Sequence, residues 1–180
     1  MNLEPTTETA SLASLVGRIA AELAEADTGT LAELRRLTPD DPGGPAFWRI
    51  VVTRLDPGHL PPGGPGRDEA LRRWAVILRA TAQLADPRDP GTPLGQALAE
   101  AGVSELRLNK LLRASGETLF DAIRSITHQL ASKAQPANPI DLARLVLSDG
   151  RSDEQSVRQR IANDYYKVVF QDERKAKEKD

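Results

Sequence analysis

Apolar residues return every three or four positions through most of the chain, and no stretch alternates apolar with polar. That period lines one face of a helix, so the pattern predicts an all-α fold. The first helix is expected over residues 9–26, with Leu12, Leu15, Val16, Ile19 and Leu23 inside and Gly29 closing the segment. Thr30 and Glu33 have the spacing of a capping box, which predicts a second helix with Leu31, Leu34 and Leu37 on its buried stripe. Arg35 and Arg36 then face outward. Pro39 and Pro42-Gly43-Gly44 stop that helix, and Pro45 suits the first turn of the next, which turns Phe47, Ile50, Val51 and Leu55 inward. Residues 56–66, DPGHLPPGGPG, predict a mobile loop. Asp68 is the expected cap of the helix that follows, where Leu71, Trp74, Ala75, Leu78 and Ala82 make the apolar face and Arg72, Arg73 and Arg79 lie off its centre.

A second break, DPRDPGTP at 86–93, divides the pattern into an N-terminal lobe (1–86) and a C-terminal lobe (94–173), two small helical bundles on a Pro/Gly-containing linker. Thr92 and Pro93 are expected to open a short helix that Gly102 closes. Ser104 starts ELRLNKLLRAS, in which about 100° per residue sets Leu108, Leu111 and Leu112 against Arg107, Lys110 and Arg113, with Leu106 among the cations. A helix over 117–134 buries Leu119, Ile123, Ile126 and Leu130 and carries Arg124 and His128 on one flank. Asn138 and Pro139 start another, with Leu142, Leu145 and Val146 inside and Arg144 outside. After Gly150, Ser152 and Gln155 suggest a second capping box. The last helix holds Val157, Ile161, Tyr165, Val168 and Val169 before a charged tail at 174–180.

The composition adds mainly exclusions. With 180 residues, 39% of them hydrophobic, the chain can bury a core of its own. It has no cysteine, which removes disulfides, thiolate metal sites and cysteine nucleophiles and fits a reducing cytoplasm. No apolar run suggests export or a membrane span. His59 and His128 are the only histidines and neither has a partner at ligand spacing, so no metal and no cofactor are expected. No nucleophile elbow, phosphate-binding loop, dinucleotide fingerprint or carboxylate pair is present, and the chain is read as a non-enzyme.

Net charge is -2; residues 1–90 have 10 basic and 13 acidic side chains (-3) and residues 91–180 have 14 and 13 (+1). A nucleic-acid surface would therefore be a local stripe. Arg35, Arg36, Arg107, Lys110, Arg113, Arg124, Arg144 and Arg151 fall where exposure is expected. They suit either solvated helix faces with weak ion pairs, such as Asp121 with Arg124, or a groove that follows a sugar-phosphate backbone. Trp48, Trp74, Tyr165 and Tyr166 are the aromatic candidates for base stacking, though Trp74 and Tyr165 lie on apolar faces and read as core. Residues 96–113, QALAEAGVSELRLNKLLR, also have the outline of a helix-turn-helix around Gly102, with Leu98 where that motif wants a small residue.

Taken in order, GTLAELRR, PAFWRIV, LGQALAEAG, RLNKLLRA, IRSITH and DYY resemble the small subunit of the type I-E CRISPR surveillance complex Cascade, the CasB family, over about residues 15–170. The resemblance implies two helical bundles without enzymatic activity. It implies a homodimer inside the complex, beside the backbone and large subunits and the crRNA, that helps hold target DNA, chiefly the displaced non-target strand. Pairing with the guide reads sequence there, so sequence-blind contacts that tip a nearly balanced strand exchange suffice. Of the family's basic contacts, those that match are Arg36, Arg67, Arg107, Arg113, Arg124 and Arg151, to which exposure adds Arg35, Lys110 and Arg144. The alternatives are a helix-turn-helix regulator, which would prefer one duplex sequence, and a helical adaptor with no nucleic-acid affinity.

Overall fold

Each apolar stripe becomes the inner face of a helix in the computed structural model, which describes residues 11–41, 43–84 and 91–178. The order is α1 (Leu12–Ala24), α2 (Thr28–Arg35), α3 (Pro45–Arg54), α4 (Pro65–Gln83), α5 (Leu94–Glu100), α6 (Glu105–Arg113), α7 (Gly116–Ser132), α8 (Pro139–Ser148) and α9 (Glu154–Lys177). Among the described residues there is no strand, and the fold is all-α. The break expected at 86–93 lies largely outside them.

Several helix starts differ from the expectation, and at α2 the reason is a stronger acceptor. Ser11 caps α1, its hydroxyl accepting from Ser14 N at 3.2 Å. The α2 cap is Asp27, not Thr30: its carboxylate accepts from Thr30 N at 2.9 Å and from the Thr30 hydroxyl at 2.7 Å. A negative charge suits the N-terminal end of the helix dipole, and the Thr30 hydrogen bonds hold the Asp27 carboxyl below its ordinary pKa. Glu33 is thereby released to accept from Ala46 N at 2.7 Å. It caps α3 from α2, over Gly44, where a Cβ would collide with that carboxylate.

Gly64 precedes α4 at φ 76°, in the left-handed region that glycine tolerates, so Asp68 sits in the first turn and is not the cap. The loop before it, expected to be mobile, contains a folded turn. Asp56 Oδ1 accepts from Gly58 N at 2.9 Å and lies 2.8 Å from His59 Nδ1, Trp74 Nε1 donates to the His59 carbonyl at 3.1 Å, and Leu60 is buried. α5 starts at Leu94 with Pro93, not Thr92, in the capping position, and Asp141 of α8 accepts from Leu94 N at 3.1 Å. Ser104 and Asn138 cap α6 and α8 as expected, while Ser115 and Thr118 form an unforeseen box on α7. The box expected at Ser152 and Gln155 does not form. Asp153 precedes α9, and Glu154 instead accepts from Gly150 N at 2.8 Å. α9 also runs on through Lys177 into the stretch expected as a tail.

The buried apolar set is continuous from Leu15 of α1 to Tyr165 of α9, with Trp74 and Phe47 fully enclosed. α8 packs against α1, α4 and α9, and α5 lies along α9. One polar knot fixes the end of α6. Arg158 of α9 donates to the carbonyls of Leu112 at 2.5 Å and Ala114 at 2.7 Å, and it pairs with Glu154 at 2.7 Å and Asp149 at 3.4 Å. Asp149 in turn accepts from Gly116 N, at the start of α7, at 2.8 Å.

Candidate nucleic-acid interface

The α6 segment is amphipathic at the helical period, so burying Leu108 and Leu111 forces the cations outward. Arg107, Lys110 and Arg113 are all exposed along that outer face. Lys110 and Arg113 border an open groove of about 650 Å³ between α6 and α7, with Leu106 and Asn109 on one wall and Thr118 and Ala122 on the other. Neither cation meets a carboxylate among the described residues. Arg107 Nη1 donates to Gln129 Oε1 of α7 at 2.6 Å, a neutral partner that orients the guanidinium and leaves its charge intact. Leu106 is 67% exposed amid these cations, an apolar surface against which a sugar or base can rest.

Across the exposed ridge of α7 lies a second cleft, where Arg124 pairs with Asp121 at 2.9 Å. Arg79 of α4 also lines it, a residue the pattern placed only off the centre of an apolar face. The available signal was the absence of any acid three or four residues away: Ala75, Val76, Ala82 and Gln83 occupy those places. Burial, and then the nearby Arg124 charge, lower the Arg79 pKa from the ordinary arginine value.

The other expected cations are spread over the molecule. Arg36 is exposed beside a shallow groove with Glu33 and Asp41, and Arg151 is exposed in the turn between α8 and α9. Arg35 is exposed but spends Nε on the Ala82 carbonyl at 3.0 Å, tying α2 to α4. Arg67, expected at the end of a loop, is half-buried in the first turn of α4 and donates to the Pro61 carbonyl at 2.9 Å. Arg144 lies 3.7 Å from Asp141, which Arg160 approaches at 3.9 Å.

Of the aromatics, Trp74 and Tyr165 are core, as their faces predicted. Trp48 is 40% exposed, and Tyr166 stacks on the exposed Phe170 with centroids 5.7 Å apart. No cluster of three His, Asp or Glu that could hold a metal occurs among the described residues, and no described helix is long and apolar enough to cross a membrane.

The family model of CRISPR-associated protein Cse2 matches residues 30–166, from within α2 to Tyr166 on α9. The chain belongs to this family. Cse2, also called CasB, is the small subunit of the type I-E Cascade complex and a structural component of it. Comparison with curated proteins and with solved structures gives no match. The Cse2 match starts at Thr30 and takes in the α6 cations, the α7 ridge and both bordering clefts.

Proposed function

We propose that this Cse2 subunit works in the cytoplasm as a sequence-blind strand holder. It dimerises along Cascade beside the backbone and large subunits, and its basic residues contact crRNA and target DNA, chiefly the displaced non-target strand. The supporting observation is the α6 row of Arg107, Lys110 and Arg113: three exposed cations on a braced helix, bordering an open groove, with no carboxylate partner among the described residues. Unpaired cations in a row are free to take phosphate oxygens, which suits a sugar-phosphate backbone. Opening the target duplex exchanges one set of base pairs for another of similar stability, so a few phosphate contacts on the displaced strand shift the balance.

Arg107→Ala combined with Arg113→Ala is expected to leave folding and complex assembly intact and to weaken target binding. Each lost phosphate contact lowers the slope of log affinity against log salt by about 1. Affinity measured for the whole complex over a salt series checks this. Unchanged affinity with unchanged slope removes the α6 row from the interface.

A further inference from the structure

Arg79 stands out from the other cations because it is partly enclosed, yet its side chain has only a neutral hydrogen-bond partner among the described residues. Nη1 donates to the Leu37 carbonyl at 3.1 Å, and no carboxylate pairs with it among the described residues. Its cleft holds about 240 Å³ and is walled by the end of α2, by α4 and by α7. Three carboxylates border the cleft, none of them paired with Arg79; Asp40 and Glu117 share the one guanidinium of Arg72, and Asp121 is held by Arg124. The second guanidinium on the cleft is Arg124, exposed and paired with Asp121, and its charge is felt at Arg79. The floor of the cleft is apolar, with Val76, Phe120 and Ile123.

We infer that the Arg79–Arg124 cleft seats a phosphate group, with Arg79 supplying the unpaired guanidinium and Arg124 swinging from Asp121 to share it. Arginine suits this role because its planar fork bonds two phosphate oxygens at once. The inference rests on the strand-holding reading for its natural occupant, a phosphodiester of the displaced strand, since the cleft lies across the α7 ridge from the α6 row. A strand crossing that ridge would meet cations on both sides. Free phosphate shares the same chemistry and is the other source.

The test follows the side-chain Nε–Hε resonances of Arg79 and Arg124 in the full chain during titration with oligodeoxythymidine and, separately, with inorganic phosphate. Arg79→Gln, Arg79→Lys and the Arg107/Arg113 double alanine variant run alongside. Shifts of both resonances with both ligands, with the Arg124 shift lost in Arg79→Gln and kept in Arg79→Lys, support the seat, with Arg79→Gln lowering the salt slope of strand binding by about 1. Shifts with phosphate alone support the seat but remove the strand as its occupant. If the strand binds through α6, as loss in the double variant reports, and neither ligand moves the Arg79 signal, the seat is overturned while the strand-holding reading stands. Circular dichroism of each variant separates loss of the seat from loss of fold.

Discussion

Arg158→Ala is expected to lower unfolding stability by about 3–5 kcal/mol, the range for removing one partner from a buried ion pair. The size follows from what the guanidinium holds. It satisfies the last carbonyls of α6 and the cap that follows, Leu112 and Ala114, and it neutralises Asp149, which is only 7% exposed, together with Glu154. Alanine strands two carbonyls and a buried carboxylate in one place, and each unsatisfied group costs about 1–3 kcal/mol. Lysine keeps a charge but lacks the fork that reaches both carbonyls and a carboxylate, so Arg158→Lys recovers only part of the loss. Urea unfolding of the three proteins measures this. A loss below about 1 kcal/mol would mean that water replaces the guanidinium freely and that α6 is not braced from below.

Gly95→Ala is the second large effect. α5 lies so close on α9 that an added methyl would overlap the Ile161 carbonyl oxygen and come within 2.8 Å of Tyr165 N and 3.0 Å of Asp164 Cβ. Two of those three atoms are backbone, so no side-chain rotation relieves the clash. α5 must back away from α9, which opens the packing of Leu94, Leu98 and Ile161 and pulls on the Tyr165 hydroxyl, which donates to the Val103 carbonyl at 2.6 Å. The expected destabilisation is about 3 kcal/mol, the upper end for overpacking a rigid site. Thermal unfolding reads it directly. A wild-type midpoint in Gly95→Ala contradicts the close α5–α9 approach.

Neither residue could be singled out from the sequence, and the reason is physical. Local rules were legible: the 3.6-residue stripes, Ser104 and Asn138 as caps, and the outward turn of the α6 cations all depend on neighbours within one or two turns. The failures lie where a distant group competes. Thr30 and Glu33 have the spacing of a capping box, but Asp27 is a charged competitor next door, and Glu33 finds the free N–H of Ala46 on another helix. Arg35 is exposed as its period predicts and Arg67 was expected at the end of a loop, yet each bonds to a carbonyl that only the fold brings within reach. Arg79 is marked locally only by the lack of an acid one turn away and Arg158 only by Glu154 one turn back, because their meaning comes from α7 in one case and from the end of α6 in the other.

A subunit that holds a DNA strand without reading its sequence must matter to target binding by the whole complex. The most direct measurement purifies the effector complex with and without the chain and compares affinity for a matched duplex target across a salt series. Complex lacking the subunit is expected to keep its guide RNA but to bind duplex target more weakly and with a shallower salt dependence. Equal affinity and equal slope in the two preparations would contradict the strand-holding reading.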